Sequence, residues 1–139
     1  MDEHQRGTIE QRLIRERTRS RVAMGRYKQA ALTSLAGSAS ELTQYPTHMA
    51  DQASDMLERE MSLFFASKEG RHLHQIEEAL RRLYENRESF GSCQECGVDI
   101  PFLRLDAVPY TVACVDCQQS TEGAGARGTS AARGPRGVA

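Results

Sequence analysis

All four cysteines of this 139-residue chain fall in one stretch, "CQECGVDIPFLRLDAVPYTVACVDC". Cys93, Cys96, Cys114 and Cys117 make two C-x-x-C pairs, with seventeen residues between the pairs. A C-x-x-C turn aims two thiolates at one point, and two such turns complete a tetrahedral four-cysteine zinc site. Gly97 follows the first pair and suits the backbone reversal such a knuckle needs. Disulfides would need an oxidising compartment. A thioredoxin-like site would need a single C-x-x-C in a βαβ setting. The cluster therefore reads as a site for one Zn2+ per chain.

Four thiolates close the coordination shell, so no position stays open for substrate or water. The zinc is expected to be structural. His48, His72 and His74 lie upstream and read as exposed helix residues, not as ligands. No nucleophile–base set and no Gly-rich phosphate loop accompanies them, so the chain is not expected to be an enzyme.

Charge then separates the kinds of partner. Residues 93–119 hold one basic side chain, Arg104, against Glu95, Asp99, Asp106 and Asp116. Zn2+ with four thiolates adds a formal charge of about −2. Phosphate backbones need Lys and Arg, so no sequence-specific DNA binding is expected of this segment. Residues 1–37 are the opposite, with eight Lys/Arg against four Asp/Glu, and residues 38–92 hold six against ten. The basic run Arg12, Arg15, Arg17, Arg19 and Arg21 goes partly around its helix. It reads as a solvated face paired with the acidic second half. The rival is a nucleic-acid- or ribosome-associated zinc-ribbon protein that uses the basic first helix and the tail.

The elements that must position the cysteines come next. Thr8-Ile9-Glu10-Gln11 fits a capping box. Ile9, Leu13, Ala23, Tyr27 and Ala30 then recur at near-heptad spacing, with Glu16 and Ser20 filling the seam, and Gly37 is a plausible stop. Pro46 breaks the pattern. A second long helix is expected from about Thr47 to Arg87. Leu73, Ile76, Leu80 and Leu83 form its seam, and Ala53, Met56, Leu57, Met61, Phe64 and Phe65 its upstream apolar face. Gly70 lies inside at a cost of about 1 kcal/mol against Ala, and Gly91 is a natural stop. At about 1.5 Å per residue, a helix of about 38 residues is a rod of about 57 Å.

The fold expected is mainly α: a long antiparallel coiled-coil hairpin plus a small four-cysteine zinc module and a disordered C-terminal tail. Its parts are residues 8–89 for the hairpin, with the tip near 38–52, residues 90–119 for the module, and residues 120–139 for the Gly/Ala/Arg tail. A bundle of three or four shorter helices is the alternative; the heptads and the single strong breaker favour the hairpin. The start, "MDEHQRGTIEQR", has no apolar h-region, and no run reaches the roughly 18 apolar residues of a membrane span. The expected location is the cytoplasm.

The segment from Phe90 to Gln118 resembles the DksA/TraR family of bacterial transcription regulators. The resemblance rests on Phe90-Gly91, the C-x-x-C-G of Cys93 to Gly97, Ile100-Pro101, the R-L-x-A-x-P of Arg104 to Pro109, and the C-x-x-C-Q of Cys114 to Gln118. It implies a coiled-coil hairpin joined to a zinc module held by four cysteines. It also implies binding to RNA polymerase, with the hairpin in the secondary channel and acidic tip residues near the active site. Some members act with guanosine tetraphosphate. The family's D-x-x-D-x-A tip is matched here in its second half by Asp51-Gln52-Ala53, while His48 stands at the first Asp. His48-Met49-Ala50-Asp51 is closer to the H-P-A-D-like tip of other branches. The expected partner-binding residues are Asp51, Ala53 and Asp55; the two carboxylates are four apart and share one helix face. Asp51 equally suits the first turn of a helix, where the dipole favours it.

Overall fold

The structure is a computed structural model. It describes the backbone of residues 1–41 and 49–128 and the side chains of residues 1–37 and 52–125. The first helix, α1, runs Glu3–Glu41, and the second, α2, runs Met49–Glu85. The short α3, Phe102–Ala107, and α4, Val115–Gly128, belong to the cysteine segment. No described helix is long and apolar enough to cross a membrane.

The start of α1 differs from the expectation. The cap is Asp2, not Thr8: Asp2 Oδ1 accepts from the Gln5 backbone N–H at 2.7 Å, and Gln5 Oε1 accepts from the Asp2 N–H at 3.1 Å. That is the reciprocal pairing of a capping box. Thr8 sits one turn in, its hydroxyl donating to the His4 carbonyl at 3.1 Å. At the other end the helix runs through Gly37, where no backbone reversal occurs, to Glu41.

Cross-helix contacts fix the direction of α2. Glu10 meets Tyr84, Arg21 meets Glu77, Tyr27 stacks on Phe65 at 5.3 Å, and Arg59 reaches the Ser34 carbonyl. One number rises as the other falls, so the two helices are antiparallel. The seam runs through buried Ile9, Leu13, Ser20 and Ala31 on α1, and Ala66, Leu73, Ile76, Leu80 and Leu83 on α2. The expected α2 seam is therefore correct in its second half. On α1, Ala31 takes the inward place expected of Ala30, which is exposed.

The distal half departs further. Met56, Leu57, Met61 and Phe64 are each at least half exposed, and Ala53 is exposed too. Only Phe65 of the expected apolar face is partly covered. The reason is register. Counting back from Leu83, Leu80, Ile76, Leu73 and Ala66 at the seam period lands on Ser62, Arg59 and Asp55, which are the less exposed positions. Polar groups thus fill the distal seam: Ser34 Oγ donates to the Asp55 carbonyl at 3.3 Å, and Arg59 Nη2 donates to the Ser34 carbonyl at 3.4 Å. The apolar side chains are left on the flanks.

One core serves the hairpin base and the cysteine segment together. Ile9, Leu13, Ile76, Ala79, Leu80 and Leu83 pack with Phe90, Cys93, Ile100 and Leu105. Packing therefore crosses the boundary expected at residues 89 and 90. Gly91 makes the turn between them at φ +96°, a region that glycine reaches at little cost. The helix α4 corrects the expected tail: residues 120–128 are helical. Ser120 and Thr121 bond back to the Asp116 and Cys117 carbonyls, and Gln118 donates to Glu122. The expected tail beyond residue 128, and most of the expected tip, lie outside the described residues.

Candidate metal centre

The first knuckle is a tight backbone turn. Cys93 N–H donates to the Val98 carbonyl at 2.8 Å, and Gly97 N–H returns to the Cys93 carbonyl at 2.9 Å. Gly97 sits at φ +74°, as its place after the first pair implied. A one-residue bridge, Ser92 with Asp99, closes the turn, and Ser92 Oγ donates to Asp99 Oδ1 at 3.1 Å. The second knuckle is built differently. Cys114 stands just before α4, and Cys117 falls in its first turn. The Cys117 N–H points to Cys114 Sγ at 3.5 Å, so Cys114 occupies the capping place of the helix. The two knuckles are joined by Gln94 N–H donating to the Val112 carbonyl at 2.9 Å.

These turns bring the four sulfurs together. All lie within 4.8 Å of one another, and Cys96 Sγ and Cys114 Sγ are 3.8 Å apart. A tetrahedron with Zn–S bonds of about 2.3 Å has edges of about 3.8 Å, so the set fits zinc. Cys93 is buried on the core side, while Cys96 faces solvent. The Cys93 thiol is pulled down to about 6 by backbone hydrogen bonds around Cys114 and Cys96. Cys117 is pushed up by side-chain hydrogen bonds to Cys114 and Cys96. Those bonds favour deprotonation at Cys93 over Cys117, and metal binding drives protons off the sulfurs.

Three contacts clamp this module onto the hairpin, and a fourth, between Arg87 and Glu3, closes the hairpin's own base. Arg12 Nε lies 2.8 Å from Asp106 Oδ1 on α3. Arg87 pairs with Glu3 at 2.8 Å. The half-buried Arg82 lies 5.9 Å over the Phe90 ring and reaches the Tyr110 carbonyl at 3.4 Å. The His72 and Tyr110 rings meet edge to face at 4.8 Å, with His72 Nε2 also 3.7 Å from Glu16. His72 is thus a packing residue, not the exposed one expected, whereas His74 is exposed. Arg104, inside the R-L-x-A-x-P motif, donates to the Ala113 carbonyl and to Gln118, which fixes the second knuckle. Its place in that motif between the cysteine pairs was the sequence signal for that role; the His72–Tyr110 contact had none.

The expected tip residues are not brought to this centre. Asp51 falls in the first turn of α2, with its side chain outside those described. Ala53 is exposed and Asp55 partly covered. His48 lies outside the described residues.

A zinc module of four cysteines, clamped to the base of an antiparallel helical hairpin, is the class that fold and site define. Residues 88–123 match the family model described as prokaryotic dksA/traR C4-type zinc finger. The RNA polymerase-binding transcription factor DksA of Escherichia coli (strain K12) is 33% identical over 92 residues, covering 59% of this chain and 60% of that protein. The uncharacterized protein YteA of Bacillus subtilis is 41% identical over 69 residues, covering 50% of this chain and 28% of that one. The structure of transcription factor DksA2 from Pseudomonas aeruginosa aligns with a TM-score of 0.71 at 28% identity, over 88% of this chain and 87% of that chain. The aligned region thus spans less than two thirds of these curated relatives' own length. The resemblance to the DksA/TraR family holds in sequence and in fold.

Proposed function

We propose that this chain is a non-enzymatic, cytoplasmic transcription regulator that binds bacterial RNA polymerase, with its hairpin inserted in the secondary channel and its zinc structural. The observation that carries the proposal is the rod clamped to a zinc-held base. At about 1.5 Å per residue, the 37 residues of α2 reach about 55 Å from the module. Exposed apolar side chains of this size, Met56, Leu57, Met61 and Phe64, fit a partner surface better than water. The name and the fold of the DksA relatives support polymerase as that partner.

In this reading the chain's own residues hold and present. The four cysteines hold the zinc, whose binding adds folding free energy to a module with a small core. Arg12, His72 and Arg82 orient the module on the rod. Asp51, Ala53 and Asp55 at the start of α2 are the partner-binding residues, two carboxylates on one helical face.

Guanosine tetraphosphate has less support. A cleft of about 590 Å3 between α2 and the module has the size for a nucleotide. Its two arginines are already engaged, Arg81 by Glu78 and Glu85, and Arg82 by the Tyr110 carbonyl.

The test is transcription in vitro from a set of promoters, with wild type and Asp51→Asn at equal occupancy of polymerase. The proposal expects a wild-type effect that Asp51→Asn reduces. An effect unchanged by Asp51→Asn would remove the tip from the mechanism, and no effect at any promoter would remove the regulator.

A further inference from the structure

The polymerase reading makes no use of the arginines on the outer face of α1. Two members of the run are consumed inside the molecule: Arg12 by Asp106 at 2.8 Å and Arg21 by Glu77 at 2.6 Å. Arg15, Arg19 and Arg26 are placed otherwise. With Val22 they fall at intervals of four, three and four, which is one stripe of a helix. Ile14 and Thr18 run beside them and lead to the same Val22. Together with Ala23, these six side chains line a shallow groove of about 520 Å3. Ile14 and Val22 are 37% and 50% exposed, away from the buried seam.

The charge there is only partly neutralised from within. Arg15 donates to the neutral Gln11 amide at 3.4 Å. Arg19 approaches Glu16 only at 3.9 Å and is 80% exposed. Arg26 has no ion pair among the described residues.

We propose that this face is a second docking surface and that it takes an acidic amphipathic helix of a protein partner. Two aliphatic side chains form an apolar strip at helical spacing, the pattern that a partner helix meets with its own apolar stripe. The guanidinium forks on that strip match carboxylates beside the partner's stripe, two bonds at a time. A nucleic-acid backbone would use the arginines but leave Ile14 and Val22 without an apolar partner. From Ile14 to Arg26 the strip is about 18 Å long, which suits a helix of a few turns. The surface is independent of the hairpin tip, so it stands whether or not the hairpin enters polymerase.

The test uses the full zinc-loaded chain and a synthetic helical peptide of about five turns, with leucines at i, i+4 and i+7 flanked by glutamates. The comparison probes are a scrambled peptide of the same composition and a short DNA duplex. Binding is followed by fluorescence and mapped by backbone amide shifts. The expected result is binding of the patterned peptide with shifts confined to residues 14–26. Arg15→Glu with Arg26→Glu weakens it about tenfold or more, Val22→Ser weakens it severalfold, and Arg21→Ala leaves it unchanged. Equal binding of the scrambled peptide, or indifference to Val22→Ser, overturns the proposal. So does a duplex that displaces the patterned peptide through the same arginines, which would make the face a nucleic-acid surface.

Discussion

The Arg12 guanidinium lies 2.8 Å from the Asp106 carboxylate and ties the first helix of the hairpin to α3 of the zinc module. The contact joins residues 94 positions apart. Beside it, the His72–Tyr110 and Arg82–Phe90 ring contacts tie the second helix to the same module. Rod and module thus share one packed base, held from both helices of the hairpin.

The Arg12–Asp106 pair orients more than it stabilises. Both side chains keep substantial exposure, 47% and 31%. A double-mutant cycle of Arg12→Ala and Asp106→Ala, read by urea denaturation, should give a coupling of at most about 1 kcal/mol. A coupling several times larger would place the pair in the stability of the core.

Zinc removal should act on the module first. Metal analysis should give about one zinc per chain. A chelator, or Cys114→Ser, should lower the melting temperature and release α4, while most of the far-UV helix signal of the hairpin remains. Acid works in the same direction, because protons compete with zinc for thiolates. In the metal-free chain the Cys93 value is depressed from about 9 to about 6. The stability it contributes is present above the ordinary thiol value and is lost as pH falls through about 6. Full zinc retention in Cys114→Ser would contradict the ligand set.

The two halves of the hairpin should answer differently to truncation. Leu80→Ala removes a buried side chain from the shared core and should cost about 2–5 kcal/mol in urea denaturation. Phe64→Ala, on a residue 60% exposed, should change stability by about 0.5 kcal/mol or less. If the apolar flanks serve a partner, the same substitution weakens binding.

Two glycines should give opposite signs. Gly91→Ala meets a φ of +96° and should destabilise by more than about 1 kcal/mol. At Gly70 an added Cβ would lie 3.7 Å from Met24 Sδ, an ordinary contact, so Gly70→Ala should stabilise by up to about 1 kcal/mol. Thermal melts of the two variants decide both.

How much of this was legible follows from how local each feature is. The cysteine knuckles and the Leu73–Leu83 seam were readable because a few neighbouring residues determine them. The cap of α1 was misread because Asp2-x-x-Gln5 and Thr8-x-x-Gln11 carry the same signal within two turns of each other. Asp2→Ala should therefore cost about 1 kcal/mol, and Thr8→Ala should remove no cap. The distal face of α2 was misread because hydrophobicity alone does not set register: the packed base does, and it turns Ser62, Arg59 and Asp55 inward. The tail was expected too early because helix α4 starts on a zinc ligand, with Cys114 at its cap. The His72–Tyr110 contact spans 38 residues and left no trace in local pattern.

The most direct measurement is binding of the purified, zinc-loaded chain to bacterial RNA polymerase, with a known secondary-channel binder as competitor. The account predicts saturable binding that the competitor abolishes, and binding that Phe64→Ala weakens. No binding, or binding indifferent to the competitor, would contradict the account and leave a zinc-held hairpin with a different partner.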